Sequence, residues 1–375
     1  MLVAYTEKNE PFVLNSSMPQ TTLYQLRKSK KFYCPLCKQQ LLFKIGSLKI
    51  PHFAHYSKSS CEAQFSDRES EMHLKGKEQL YSLFNALKLE AQLEPYLPSI
   101  QQRPDILFKL KGNDDQRIAV EFQCSPISLE KLLERNNGYK REGISPIWIP
   151  STPNKIVKKG IQRISLNKNY QQFREVTHPS YIMTYNPAVR QFFYISNLIY
   201  LHGNSFISKV QTISLTNQKF PFYIPKPITK NEFEQFWLIY QQVKHNYLQA
   251  RVLFRRSGVN DILLRSAYEL RMNLHSLPKY IGIPLKGSEE LKVFSVDWQL
   301  ALFYFIHTNK IELCHMKGQT IYYFLKWARM PETKIAYEVV SNYCTFLEKT
   351  SIQHSYQSIQ DDKLLAILYN QFLAM

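Results

Sequence analysis

The first part of the chain alternates short apolar stretches with polar and basic positions. Apolar runs at residues 2–5 and 41–45 are too short for ordinary helices, and Gly46 and Pro51 interrupt the pattern after the second run. This alternation predicts a small β-rich module over residues 1–65.

The hydrophobic period changes to that of a helix from Asp67 onward. Pro95 and Pro98 mark the end of this segment. The apolar positions repeat every three or four residues and form one stripe of a predicted helix: Leu74, Leu80, Leu83, Phe84 and Leu87.

Two predicted strands follow, at residues 104–110 and 117–123. The turn-forming residues 112–115 between them predict a β-hairpin. Ser128 is a favourable N-cap for a helix that stops at Asn137-Gly138, and residues 147–149 form one more buried strand. Together with the preceding helix, these elements predict an α/β core over residues 66–155.

Beyond residue 155 the apolar spacing is mainly helical. It recurs at residues 233–254 and 299–305 and through the tail from residue 335. We therefore predict a mostly α-helical C-terminal domain over residues 156–375. Neither a phosphate-binding loop nor a dinucleotide-binding glycine pattern occurs in the sequence, so nothing in it indicates ATP use.

The charge balance is strongly basic. Lys and Arg number 48 against 30 acidic residues, which gives a formal net charge of +18 and a pI near 9.5. Such a surface suits a polyanion, so DNA is the expected partner. The alternative is a compositional bias from an AT-rich genome, in which Lys, Asn, Ile and Tyr rise together whatever the function.

The sequence shows neither a secretory leader nor an apolar run of membrane-spanning length. We expect a cytoplasmic protein without a membrane span. The cytoplasm keeps thiols reduced, so paired cysteines there more often hold a metal than form disulfides.

Cysteine and histidine residues cluster within the N-terminal module. Cys34 and Cys37 form a C-x2-C turn, and a later thiolate at Cys61 with one imidazole completes a tetrahedral Cys3His site for structural Zn²⁺. Residues three apart on an extended segment face opposite ways, so only one of His52 and His55 faces the metal. His55 is preferred because it closes a shorter ligand loop. Free thiols and surface histidines are the alternative.

Acidic residues that suit Mg²⁺ or Mn²⁺ lie in the α/β core. Asp105 starts one predicted strand and Glu121 lies on its hairpin partner, so both carboxylates are predicted to hold a cation for phosphodiester hydrolysis. Gln123 shares a face with Glu121 and orients the nucleophile. Glu69, His73 and Lys77 are spaced by four along one helix stripe. Glu69 is assigned to a second metal or a coordinated water, and His73 and Lys77 to the phosphate.

A solvated helix face and ordinary edge-strand charges are the alternative reading of these residues, and this reading holds for each residue taken alone. Their combination in this order favours a site.

Several of these motifs occur in a fixed order that resembles the competence protein CoiA family. The resemblance covers about residues 1–155 and implies a nuclease-like fold of the PD-(D/E)xK type that acts on incoming single-stranded DNA during transformation. Asp105 and Glu121 match its two acidic positions, but its usual lysine is Gln123 here, and Lys77 is a candidate replacement. The resemblance is carried by Cys34, Cys37, His52, His55, Cys61, Glu69, His73, Lys77, Arg103, Pro104, Asp105, Glu121, Gln123 and residues 147–149.

Two functions are consistent with these observations. The first is a metal-dependent deoxyribonuclease that promotes recombination in natural transformation. The second is a non-catalytic mediator that binds single-stranded DNA or the strand-exchange recombinase, which Gln123 and the large basic helical region favour. A third possibility gives nucleic-acid recognition to the zinc module alone.

Overall fold

The part of the chain that the structure describes forms three β-sheets followed by a helical region. The computed structural model describes residues 1–15, 18–46, 49–56, 61, 69–110, 116–254, 260–352 and 359–370. Within these ranges, no helix combines the length and the hydrophobicity that crossing a bilayer requires.

The first sheet lies in the N-terminal module and is antiparallel throughout, in the order β2-β1-β3-β4-β5. Four phenylalanine rings, Phe12, Phe32, Phe43 and Phe53, pack against one another beside it. Helix α1 was not predicted, because its sequence is mostly polar and only Leu23 is fully buried. The elements are β1 (Val3–Thr6), β2 (Pro11–Val13), α1 (Gln20–Ser29), β3 (Phe32–Tyr33), β4 (Gln40–Lys44) and β5 (His52–Ala54).

The second sheet has the order β6-β7-β8-β9 and carries the predicted hairpin. Strands β7 and β8 are antiparallel, whereas β8 and β9 are parallel and joined by the crossover helix α3. The predicted turn at residues 112–115 lies outside the described residues. The elements are α2 (Glu71–Ala86), β6 (Gln92–Leu93), β7 (Ile106–Lys109), β8 (Arg117–Gln123), α3 (Leu129–Arg141) and β9 (Ile144–Pro150).

Helix α3 begins after the predicted cap, Ser128, but continues past its predicted stop. Gly138 lies inside the helix and against Gln102, whose Nε2 would be 2.2 Å from an added Cβ. This glycine permits close packing and does not end the helix, which is why the predicted stop was wrong.

Helix α2 packs directly on β8. The side chain of Ser70 accepts the N–H of His73 and fixes the start of the helix at Glu71, four residues after the predicted start. Four residues of its predicted apolar stripe are buried, Leu74, Leu80, Leu83 and Phe84, whereas Leu87 follows the helix as its C-cap and is half-buried. Gly76 allows the close approach, because a Cβ there would lie 2.0 Å from Cε1 of Phe122.

The third sheet corrects the prediction that residues beyond 155 are mostly helical. Its order is β10-β13-β12-β11, and its inner strands are buried on both faces. Phe193 and Ile195 face one apolar cluster while Phe192 and Tyr194 face another. A strand buried on both faces reads as a continuous apolar run, which periodicity cannot separate from a buried helix. The elements are β10 (Gly160–Ser165), α4 (Lys168–Gln171), β11 (Tyr181–Asn186), β12 (Gln191–His202) and β13 (Ser205–Ser214).

From Lys230 onward the helical prediction is confirmed. Helix α7 lies at the centre of this region and is buried on nearly all sides. The helices are α5 (Lys230–Leu253), α6 (Ile262–Glu269), α7 (Ser295–Asn309), α8 (Gln319–Trp327), α9 (Lys334–Lys349) and α10 (Asp361–Leu368).

The first two sheets share one hydrophobic core with one face of the third sheet. Phe53 of β5, Phe84 of α2, Phe108 of β7 and Tyr185 of β11 all belong to this core. The N-terminal module is therefore packed onto the α/β core, and this packing brings its cysteines to the same cleft as Glu69 and Asp105, which lie just before α2 and β7.

Candidate functional site

A cleft of about 1050 Å³ lies where the N-terminal module, α2, β8 and the first turns of α3 meet. Both predicted clusters, the thiols and the carboxylates, contribute to its walls. Basic side chains of α3 form the opposite wall. The lining includes Cys37, His73, Asp105, Glu121, Lys131 and Arg135.

Asp105 directly precedes β7 and is held by two contacts. Its Oδ2 accepts the backbone N–H of Phe122 at 2.8 Å and lies 3.2 Å from Nε2 of His73. Burial opposes ionisation of this carboxyl, but its interactions with His73 and with the Lys77 ammonium lower its pKa to about 2. Asp105 is therefore an anion throughout the physiological pH range.

Glu69 and His73 complete a group that can hold a metal. Glu69 lies just before the N-cap of α2, and its Oε1 is 3.7 Å from Nδ1 of His73. One ligand atom each from Glu69, His73 and Asp105 lies within 4.8 Å of the other two. Burial opposes ionisation of Glu69, but the Lys77 ammonium outweighs it and holds the pKa well below the ordinary value.

Lys77 is completely buried among carboxylates. Its Nζ lies 2.5 Å from Oε1 of Glu69 and 3.7 Å from Oδ1 of Asp105, and it also contacts Oε1 of Glu94. Burial alone would lower the pKa of Lys77, but these carboxylates raise it above its ordinary value. Lys77 is thus a fixed cation and not a general base.

Glu94 is a site residue that the sequence analysis missed. Its Oε2 accepts the backbone N–H groups of Leu2 at 3.0 Å and Val3 at 3.3 Å, while Oε1 contacts Lys77. Glu94 follows the two-residue strand β6 with a positive φ of 49°. No periodic pattern marks this position, and its backbone partners lie 92 and 91 residues away.

Glu121 also lines the cleft, but its carboxylate is engaged by α3. Its Oε1 accepts hydrogen bonds from Arg135 and from the hydroxyl of Tyr139. Burial raises the pKa of Glu121 even though the Arg135 guanidinium opposes this shift. Glu121 is not part of the group formed by Glu69, His73 and Asp105. The cation shared between Asp105 and Glu121 stays a prediction.

Gln123 points toward the loop that leads into α3. Its Nε2 donates to the backbone carbonyl of Ser125 at 2.7 Å and lies 3.3 Å from the hydroxyl of the same residue. Gln123 still lines the cleft. The nucleophile-orienting role of this amide likewise stays a prediction.

The thiols of Cys34, Cys37 and Cys61 converge with the imidazole of His55. One ligand atom from each of the four residues lies within 4.8 Å of the others, and Sγ of Cys37 is 3.4 Å from Nε2 of His55. Burial raises the pKa of the Cys37 thiol to about 12, an effect that a bound cation would reverse by stabilising the thiolate. The arrangement fits a tetrahedral metal site.

The two histidines of the N-terminal module have different surroundings. His52 lies on β5, and its Nδ1 is 2.9 Å from the carbonyl of Ile50. His55 follows β5 and faces the thiols. The structure thus brings His55, and not His52, to the cysteine cluster.

Comparison with known proteins adds to this geometry. Residues 15–64 match the family described as "Competence protein CoiA, N-terminal domain", and residues 69–226 match "Competence protein CoiA, nuclease-like domain". The "Competence protein CoiA" of Bacillus subtilis (strain 168) is 30% identical over 286 residues, which cover 75% of this chain and 74% of that protein. The chain belongs to the CoiA family. No solved structure matches it.

The family matches follow the candidate site closely. The CoiA nuclease-like match begins at Glu69, contains Asp105 and Glu121, and continues through β13. The CoiA N-terminal match contains all four residues of the cysteine and histidine cluster. The nuclease-like match thus extends well past residue 155, where the sequence pattern placed the end of the α/β core.

Proposed function

We propose that this CoiA family protein is a divalent-metal-dependent deoxyribonuclease that acts in the cytoplasm on incoming DNA and promotes its recombination in natural transformation. One observation carries the proposal: Glu69, His73 and Asp105 bring their ligand atoms together in a large cleft. The strand arrangement is compatible with a PD-(D/E)xK core, since the hairpin β7-β8 is followed by a crossover to the parallel strand β9.

Glu69, His73 and Asp105 together are called the acidic cluster below. The two carboxylates of this cluster fit Mg²⁺ or Mn²⁺. Glu69 and Asp105 have lowered pKa values and present anionic oxygens, which hard divalent ions prefer. Such an ion, when bound, would lower the pKa of an attacking water and offset charge on the phosphate. Asp105 and Glu69 would hold it, and Asp105 is itself fixed by the N–H of Phe122.

Other cleft residues would bind and orient the DNA. Lys131 is exposed on the first turn of α3, and Arg135 lies one turn further along the same helix. Both line the cleft and are suited to contacting phosphates. Tyr96, which is partly exposed in the cleft, offers a ring for an unpaired base. These features favour single-stranded DNA as the substrate.

Lys77 would supply the positive charge that Gln123 lacks. A lysine near the acidic positions stabilises negative charge that develops during hydrolysis. Lys77 is permanently protonated and lies within 3.7 Å of Asp105, so it contributes this charge from the helix side of the site.

The thiol cluster is proposed to hold a structural Zn²⁺. Three thiols and one imidazole match the donor set that zinc prefers. The ion would tie the turn at Cys34 and Cys37 to the segment after β5 and so fix one wall of the cleft.

A cleavage assay tests the nuclease proposal. The zinc-loaded protein is incubated with single-stranded, double-stranded and branched DNA in Mg²⁺ or Mn²⁺. We expect cleavage by wild type and by Glu71→Gln, whose carboxylate is on α2 but pairs with Lys75. Asp105→Asn and Glu69→Gln should lower the rate by about 100-fold or more. Intact DNA under all metal conditions would contradict the proposal.

The mediator function remains the second candidate because of two observations. Glu121 is engaged by Arg135 and Tyr139, and the usual lysine position is Gln123. Under this alternative, the protein binds single-stranded DNA or the strand-exchange recombinase without cleaving. Transformation frequency and single-stranded DNA binding would then both survive Asp105→Asn, whereas the nuclease proposal predicts that transformation falls while DNA binding is kept.

A further inference from the structure

His73 occupies a position between the two carboxylates of the acidic cluster. Its Nε2 lies 3.2 Å from Oδ2 of Asp105, and its Nδ1 lies 3.7 Å from Oε1 of Glu69. Each ring nitrogen therefore faces a different carboxylate. The side chain is 22% exposed and lines the cleft, so an ion in the cleft can reach the ring.

The backbone and the ring of His73 each have a contact that restricts the residue. The backbone N–H of His73 donates to the side chain of Ser70 in the first turn of α2. On the sheet side, the imidazole packs near the ring of Phe122, with centroids 6.0 Å apart. Metal sites depend on such orientation of their ligands, because it reduces the entropy lost on binding.

Charge neutralisation alone does not account for a histidine at this position. The ammonium of Lys77 already lies 2.5 Å from Glu69 and 3.7 Å from Asp105. Both carboxylates thus have a permanent cation beside them on the buried side. An imidazole on the cleft side adds what Lys77 cannot offer, which is a lone pair for a metal ion.

We infer that His73 is a ligand of the divalent ion in this cluster and makes the site select Mn²⁺, and other first-row transition ions, over Mg²⁺. Carboxylates accept Mg²⁺ and Mn²⁺ alike, whereas imidazole nitrogen suits transition ions and is a poor ligand for Mg²⁺. One nitrogen and two carboxylates therefore favour the softer ion.

This inference deepens the proposed function, since it concerns the ion at the same site. It differs from the sequence-based assignment of His73, which placed this side chain on the phosphate. Metal binding measured without DNA distinguishes the two roles. Replacing a metal ligand changes the metal affinity under these conditions, whereas replacing a phosphate contact does not.

The test measures metal binding by the zinc-loaded, full-length protein. Calorimetric titrations with Mn²⁺ and with Mg²⁺ compare wild type, His73→Asn and the control His245→Asn, whose histidine is exposed on α5. We expect wild type to bind Mn²⁺ at least about tenfold more tightly than Mg²⁺. In His73→Asn, the Mn²⁺ affinity should fall about 10- to 100-fold while the Mg²⁺ affinity changes by less than about threefold. The control should match wild type.

A spectroscopic measurement separates ligation from a merely structural role. Pulsed electron paramagnetic resonance of bound Mn²⁺ reports coupling to a directly coordinated nitrogen. We expect ¹⁴N coupling in wild type and its loss in His73→Asn. This readout on wild type decides the matter even if the variant fails to fold.

Three outcomes overturn the inference: wild-type Mn²⁺ without nitrogen coupling, equal affinities of wild type for the two ions, or an equal loss of both affinities in His73→Asn. Nitrogen coupling and Mn²⁺ preference in a protein that leaves all DNA intact would support the inference and refute the nuclease proposal.

Discussion

Lys77 and Glu94 form a fully buried ion pair that links the acidic cluster to the first strand of the protein. One oxygen of Glu94 contacts the Lys77 ammonium, and the other accepts the N–H groups of Leu2 and Val3. A single carboxylate thus holds both α2 and β1. The position of the N-terminal sheet and the electrostatics of the candidate site depend on the same residue.

Replacing Lys77 tests this link. Lys77→Met leaves the buried carboxylates without their cation and should lower the free energy of unfolding by about 3–5 kcal/mol at pH 7. The double variant Lys77→Met with Glu94→Gln should lose less than Lys77→Met alone, because one of the uncompensated charges is removed. Urea unfolding measures both, with Lys75→Met as the control on the same helix.

The deficit of Lys77→Met should also depend on pH. In wild type the pKa values of Glu69 and Glu94 are lowered, so their stabilising effect is present above the ordinary value of 4.5 and is lost as the pH falls through the folded-state values. Without Lys77 these carboxyls take up protons more readily in the folded protein. The difference in unfolding free energy between wild type and Lys77→Met should therefore become smaller below about pH 4.5. A difference that stays constant with pH would count against the ion pair.

Gly76 sets the spacing between α2 and β8. Gly76→Ala places a Cβ against the ring of Phe122, at 2.0 Å in the present packing. We expect a loss of about 1–3 kcal/mol in the free energy of unfolding, although alanine is the better helix former. Gly46→Ala is the control, since its Cβ would meet no described atom within 4 Å. Equal melting temperatures for the two variants would refute the packing argument.

The proposed zinc site in the thiol cluster predicts that replacing His55 and replacing His52 have different effects on zinc content and stability. His55→Asn and Cys37→Ser should lose bound zinc and melt at a lower temperature, because a small module depends on its metal for stability. His52→Asn should retain about one zinc per chain, as in wild type. Elemental analysis of the purified proteins measures this. A zinc content of His55→Asn equal to that of wild type would show that His55 is not a zinc ligand.

Asp297 predicts a pH dependence in the helical region. Burial raises the pKa of this carboxyl from 3.8 to about 6, and the hydroxyl of Tyr247 donates to it at 2.6 Å. Between these values the folded protein binds more protons than the unfolded chain, so stability falls as the pH rises. The unfolding free energy of wild type relative to Asp297→Asn should drop by about 2 kcal/mol from pH 4 to pH 7. Asp361→Asn, whose carboxylate is exposed, is the control. An unchanged difference would show that Asp297 titrates normally.

The sequence predicts the parts of the site that depend on local spacing. Glu69, His73 and Lys77 lie near one another because they are four residues apart around the start of one helix, and Asp105 meets them because α2 packs on the hairpin. The same helical spacing could also have identified Arg135 and Tyr139 as residues near the site. They lie four apart on α3 and on the side of Leu132, which faces the core.

Other features depend on tertiary packing that no local pattern reveals. The role of Glu94 arises from a contact with β1 across more than ninety residues. The third sheet escaped prediction because its strands are buried on both faces and lack alternation. The engagement of Glu121 by α3 likewise becomes visible only once the helix is folded against the sheet.

The most direct test of a metal-dependent nuclease centre is anomalous diffraction from crystals of the zinc-loaded protein soaked in Mn²⁺. We predict a single manganese peak in the cleft, in direct contact with Glu69, His73 and Asp105. The absence of manganese from this cluster at saturating Mn²⁺ would contradict the account. A peak held by Asp105 and Glu121 away from His73 would contradict the ligand set proposed here.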